Sequence, residues 1–164
     1  MTALPTPGAY LVIQTHSLMA QGIRLGCALG GTWSRFNHAA IYAGGHVVIE
    51  ANPAGVQERP LDEYDPSQWC ASRIPLTRWE QEKVLGYARS KIGTPYGWLD
   101  IVALAAVQFD HCPTWLERTA EGDDRLVCSQ LVAYAYAAAG VPVVPGDPWR
   151  VTPGALADAI LTQP

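Results

Sequence analysis

Charge is scarce in this chain and evenly spread. Only 16% of its 164 residues are Asp, Glu, Lys or Arg, the net charge is −4, and no lysine or arginine cluster occurs. Nucleic acid is therefore not an expected partner, nor is a membrane held by electrostatics. Long apolar runs are lacking too. Residues 101–107 form one of the longest, and it is too short for a membrane-spanning segment. Residues 1–8 hold no basic residue ahead of an apolar stretch, so no signal peptide is expected. The expectation is synthesis in the cytoplasm, with export or release by lysis as later steps. Cysteine is sparse: Cys27, Cys70, Cys112 and Cys128 stand apart, with no C-x-x-C pair. In a domain of this size that implies reduced thiols rather than a disulfide framework, and it gives no zinc signature. Neither a metal nor a cofactor is expected. With no repeat, no low-complexity tract and no linker, the chain reads as a single domain over 1–164, long enough for a sizeable core.

Apolar periodicity is what the chain does have. Tyr10-Leu11-Val12-Ile13-Gln14-Thr15 reads as a buried strand. Residues 17–27 read as a short helix closed by glycines. Two apolar runs, 37–43 and 46–51, flank Gly44-Gly45 and signal a hairpin. A turn at 52–55, a strand at 56–59, a helical turn at 61–64 and a last strand at 69–74 follow. Thr77-Arg78-Trp79-Glu80 has capping-box spacing and opens a helix whose apolar face is Val84, Leu85, Ala88 and Ile92. A second, more apolar helix is expected over 98–109, an irregular excursion over 110–124 and a helix over 125–140. Extended chain over 142–149 then leads to a helix opened by Thr152-Pro153 and running to Leu161. Strands gather in the first half and helices in the second. That is an α+β pattern, an antiparallel sheet covered by helices.

Cys128 falls in the first turn of its helix, where unpaired N–H groups and the helix dipole favour a thiolate. A small buried core residue is the alternative, since free cysteine is among the most buried types. A cysteine nucleophile needs a base, and the base needs a group to orient it. Of four histidines, His16 ends the first strand, His46 lies at the hairpin turn and His111 in the excursion. His38 begins a strand, where a sheet edge can meet a helix N-terminus.

The run Asn37-His38-Ala39-Ala40-Ile41-Tyr42, then Val48-Ile49-Glu50-Ala51 and Gly55-Val56, resembles the histidine hairpin of the permuted NlpC/P60-like families. These are the YiiX-like and LRAT-like members of the papain-like superfamily. The first strand resembles theirs, with Ala9-Tyr10 in place of their Gly-Asp. Gly93-Thr94-Pro95-Tyr96 resembles their Gly-x-x-Tyr turn, and the run from Val127 to Val132 their nucleophile helix. The order, His hairpin first and Cys helix last, is that of the permuted members. The resemblance implies a papain-like fold with Cys128 as nucleophile at a helix N-terminus, His38 as base and Glu50 as the residue that orients it. It implies thiol-dependent amide or peptide hydrolysis, with a cell-wall-type peptide as substrate. LRAT-like members point instead to lipid or ester acyl transfer, with Trp33, Trp98, Trp115 and Trp149 as an acyl slot or as plain packing. A non-catalytic binding module on the same fold is the reading of another class. Gln14 is a candidate second oxyanion donor. Tyr42 and Tyr96 are candidate pocket residues, and each reads equally well as core.

The triad puts a condition on the hairpin. Directly paired residues share a sheet face, and faces alternate along a strand. A regular two-residue Gly44-Gly45 turn pairs His38 with Ala51 and turns Glu50 to the opposite face. A three-residue loop, or a bulge, restores the parity. An odd loop or a bulge is therefore expected, with Glu50 within roughly 2.6–3.2 Å of a His38 ring nitrogen.

Overall fold

A computed structural model describes residues 4–16, 34–98, 100–101, 114 and 124–162. Five strands form one antiparallel sheet: β1 (Tyr10–Ile13), β2 (His38–Gly44), β3 (Val47–Asn52), β4 (Gly55–Pro60) and β5 (Trp69–Ala71), in the order β4-β3-β2-β1-β5. Among the described residues the helices α1 (Arg78–Ser90), α2 (Cys128–Ala138) and α3 (Pro153–Leu161) follow. Helix α2 packs across β2 and β3, α1 lies against α2, and α3 meets both α2 and β1. The protein is thus α+β, and among the described residues no helix is long and apolar enough to cross a membrane.

Strand alternation divides the core in two. Tyr10, Val12, Ala39, Ile41, Ile49 and Ala51 point to the helices and join Leu131, Val132 and Tyr136 of α2. Leu11, Ile13, Ala40, Tyr42 and Val48 point the other way and are closed by Leu61, with Tyr64 and Trp69 packed on them. A period of two explains both sets, since each central strand is apolar on both faces. Two buried tyrosines tie the layers. Tyr136 donates to the Gly8 carbonyl (2.8 Å) and accepts from the Tyr10 N–H (3.2 Å), while Tyr10 donates to the Leu156 carbonyl (3.1 Å).

Helix α1 begins as its sequence demands. The Glu80 carboxylate accepts from the Thr77 N–H at 2.6 Å, and Thr77 Oγ1 accepts from the Glu80 N–H. Val84, Leu85 and Ala88 are buried, but Ile92 is not, at 46% exposure. The helix stops at Ser90 and Gly93 turns left-handed at φ 91°, so the face expected to carry Ile92 has already ended. β5 is shorter than the expected 69–74 strand, because only Trp69, Cys70 and Ala71 find partners on β1. The extended run 142–149 ends in a 3-10 turn at Pro148–Arg150 that buries Trp149. The expected helix over 17–27, most of that over 98–109 and nearly all of the 110–124 excursion lie outside the described residues, as do Trp33, His111 and Trp115.

The β2–β3 hairpin settles the parity question. Ile41 pairs with Ile49 and Tyr42 with Val48, then the register shifts so that Gly44 pairs with Val47. Ala43 is the extra residue of a bulge. The turn itself is Gly45-His46, at φ 58° and 63°, not Gly44-Gly45. Left-handed backbone at both central positions suits the twist of a tight hairpin. Counting down from Ile41–Ile49, Ala40 stands opposite Glu50 and His38 opposite Asn52. His38 and Glu50 therefore share a face.

Candidate active site

Asn37 fixes the end of the sheet before His38 begins β2. Its side chain accepts from the Thr15 N–H (2.8 Å) and hydroxyl (3.0 Å) and donates to the Thr15 carbonyl (2.8 Å). His38 Nε2 then lies 3.0 Å from Glu50 Oε2. The same carboxylate oxygen accepts from the Tyr64 hydroxyl at 2.5 Å, and Oε1 accepts from Asn52 Nδ2 at 3.0 Å. Glu50 is only 2% exposed. Burial opposes its charge, but the bonds from His38, Tyr64 and Asn52 outweigh that and lower its pKa to about 2. The ionised carboxylate must accept, so Nε2 carries a proton and Nδ1 is left for another partner. The proton assignment follows from the network.

That partner comes from the other layer. Val127 caps α2, and the side chain of Gln130 reaches back to accept from the Val127 N–H at 3.0 Å. Gln130 also donates to the Trp149 carbonyl, and Ser129 donates to the Val151 carbonyl at 2.6 Å. These bonds hold the helix start and leave Cys128, its first residue, facing His38. Burial works against the His38 cation, but the charge and hydrogen bond of Cys128, followed by those of Glu50, push its pKa up to about 10. His38 thus joins two layers of the molecule: Cys128 from the helix side and Glu50 from the Tyr64 side.

Tyr96 is beside Cys128. Its pKa is raised, first by burial and then by the charge of Cys128. A bridge to Leu126 ties its turn to the start of α2, with the Leu126 N–H donating to the Pro95 carbonyl and the Gly97 N–H to the Leu126 carbonyl. Trp98 packs edge-on to Tyr96 at 5.2 Å and is 51% exposed. Gln14 follows β1 at the His38 end, half-buried, and its N–H donates to the Gln68 carbonyl. Tyr42 is a correction to the pocket expectation. It is 2% exposed in the outer core, and its hydroxyl accepts from the His46 N–H at the hairpin tip, the far end of β2 from His38. Trp149, 3% exposed, is packing rather than an open acyl slot. His16 is exposed beside Gln68, and His46 pairs with Asp62 at the surface.

Sequence reasoning missed Tyr64. It was only the end of a helical turn, and no periodicity links a residue 14 positions away to Glu50. Asn52 was legible as the residue that a three-residue loop or a bulge sets opposite His38, and as the alternative to Glu50 for orienting it. A cavity of about 930 Å³ runs along β5, lined by Leu4, Trp69, Arg73, Leu76 and Leu161 among others, and none of Cys128, His38 and Glu50 borders it.

No family model matches the chain, and neither does any curated protein. Among solved structures, it is similar to the crystal structure of the metalloprotein YiiX from Escherichia coli O157:H7 (DUF1105). The TM-score is 0.62 at 20% identity, over 85% of this chain and 69% of that one. The two share a fold.

Proposed function

We propose that this chain is a cysteine-dependent amidase of the permuted NlpC/P60, papain-like type, acting through Cys128, His38 and Glu50. The observation that carries the reading is a single imidazole hydrogen-bonded to a buried carboxylate and electrostatically coupled to a cysteine at a helix start. The resemblance of the His hairpin and Cys helix adds cell-wall-type peptides as the substrate class. Fold likeness alone does not supply it.

The chemistry balances within these residues. The thiolate of Cys128 attacks the amide carbonyl, forming a C–S bond and an oxyanion. The N–H groups of the first turn of α2 have no preceding carbonyl to bind and are the natural donors to that oxygen. The His38 imidazolium gives its proton to the amide nitrogen as the C–N bond breaks, leaving a thioester and a free amine. Water then attacks the thioester, His38 takes its proton, and the acid and the sulfur are released. Glu50 holds Nε2–H throughout. YiiX is described as a metalloprotein, so the donor set here matters. Among the described residues no group of three or more His, Cys, Asp or Glu is placed to hold an ion, and His38 Nε2 is engaged by Glu50. No step is routed through a metal.

A second reading, lipid or ester acyl transfer by the same thiol, is favoured by the exposed Trp98 packed edge-on against Tyr96 beside Cys128. The test offers purified protein stem peptides and, separately, medium-chain acyl esters and phospholipids. Peptide cleavage that vanishes in Cys128→Ala is expected. Cys128-dependent turnover of the lipids alone selects the second reading. Turnover of neither, with Cys128 no more reactive to iodoacetamide than Cys70, points to a binding module.

A further inference from the structure

Glu50 has a second suitor. β4 places Gln57 opposite Glu50 and Arg59 opposite Val48. Arg59 is thus the diagonal neighbour of Glu50 on one sheet face, within reach of a long side chain. A buried carboxylate beside a guanidinium ordinarily pairs with it, since charge-assisted bonds are the strong ones. Here it does not. Oε2 of Glu50 serves His38 and Tyr64, and Oε1 serves Asn52. Arg59 gives Nη2 to Glu63, while its Nε is buried without a hydrogen-bond partner. The two charges still feel each other: Glu63 first, and Glu50 after it, hold the Arg59 pKa above its ordinary value. Tyr64 feels both. Burial and then Glu50 raise its pKa, while Arg59 pulls it down.

We propose that Tyr64 is a positioning residue that stands between Glu50 and Arg59 and keeps the carboxylate on His38. The inference rests on His38 acting as base to Cys128. The Tyr64 hydroxyl stays protonated and therefore donates, filling the site on Oε2 that a guanidinium would otherwise take. Its ring packs 6.3 Å from the His38 ring, so the same side chain also limits movement of the imidazole. With the hydroxyl gone, Oε2 is one donor short in a buried place, and Arg59 Nε is an unused donor on the same face. A turn of the carboxylate toward Arg59 strips Nε2 of its acceptor. Cys128, Glu50, Asn52, Tyr64, Arg59 and Glu63 are the groups that decide where the proton of His38 sits.

Tyr64→Phe keeps the ring and removes only the hydroxyl. It is compared with the wild type and with Tyr64→Phe/Arg59→Gln, which also removes the competitor. Two quantities are read: the iodoacetamide rate at Cys128 by peptide mass mapping, and the titration of the His38 ring nitrogens by NMR. Tyr64→Phe is expected to slow alkylation about tenfold and to lower the His38 midpoint by about one pH unit, the size of one lost bond to a charged group. Adding Arg59→Gln is expected to restore most of both. Wild-type values in Tyr64→Phe, or a loss that Arg59→Gln leaves in place, overturn the proposal. If wild-type Cys128 reacts no faster than Cys70, the enzyme reading fails, and the His38 titrations still decide the role of Tyr64.

Discussion

Two carboxylates in this protein are equally buried and oppositely charged in tendency. Glu50 is 2% exposed and Asp100 1%. Glu50 receives three hydrogen bonds and its pKa falls to about 2. Asp100 Oδ1 has no hydrogen-bond partner, and Arg125 Nη2 stands 4.0 Å away. Burial drives the Asp100 pKa up to about 6, Arg125 only partly offsets it, and Asp124 adds to the rise. Both groups leave water to the same degree. The number of donors aimed at the oxygens decides how firmly each carboxylate holds its charge, and the firmly ionised one is the one that meets an imidazole.

The largest expected effect is on stability. Glu50→Leu leaves the Tyr64 hydroxyl, the Asn52 amide and His38 without their acceptor and is expected to cost about 2–4 kcal/mol. Asp100→Asn removes a charge that has few partners and is expected to change stability by about 1 kcal/mol or less. Urea unfolding at pH 7 measures both. The reverse order would break the comparison.

The next effect is the pH dependence, where the two groups have opposite signs. Glu50 is more acidic folded (about 2) than its ordinary 4.5. Its contribution is therefore present above pH 4.5 and lost as pH falls through 2. Asp100 is less acidic folded (about 6) than its ordinary 3.8. The folded state holds that proton more tightly, so its contribution is present below pH 3.8 and lost as pH rises through 6. The stability difference between wild type and Glu50→Gln should shrink only in acid. That between wild type and Asp100→Asn should change between pH 4 and 6, by about 1 kcal/mol or more. Matching slopes for both variants would show that burial alone sets their charge.

Turnover sharpens the contrast on the alkaline side. In the proposed amidase mechanism His38 gives up its proton to release the amine, and its pKa is raised to about 10. Activity is therefore expected to fall as pH rises through 10. Glu50→Gln is expected to move that limb down by about one unit, and Asp100→Asn to leave it in place.

The smallest effect is at Gly97, where an added Cβ would collide with Asp100 Oδ2. Gly97→Ala is expected to cost about 1 kcal/mol and to cost less in an Asp100→Ala background, because the two sites share one contact. Equal costs in both backgrounds would remove Asp100 from the account of that turn.

Much of this contrast was legible beforehand on one side only. Glu50 could be placed because alternation is a rule of two: with His38 and Glu50 on adjacent strands, parity alone demanded an extra residue at the hairpin. Which residue it would be was not legible, because Ala43 has no special backbone preference, and the turn moved one place to use His46 at positive φ. Cys128 could be placed from the apolar run that follows it and from Gly140 beyond. Tyr64 could not, since its contact with Glu50 depends on how a 3-10 turn after β4 folds back over the sheet. Asp100 fell inside a run read as an apolar helix, and nothing local marks a carboxylate that will be buried against Gly97. Tyr42 was assigned by strand parity to the right face, but four residues of strand carry it to the wrong end.

The bulge at Ala43 bears on how this hairpin tolerates changes in length. Removing that one residue would leave Tyr42 opposite Val48 and Gly44 opposite Val47 with nothing between them, and every pair below would stay where it is. The tip thus holds one residue of slack, and a deletion there is absorbed by straightening. The same deletion between His38 and Tyr42, or between Val48 and Glu50, has no slack to draw on and exchanges the two faces of the sheet below it. Drift in length across related chains should therefore collect above Tyr42 and Val48 and be absent below them. The most exposed part of the hairpin shields its most exacting part from insertion and deletion.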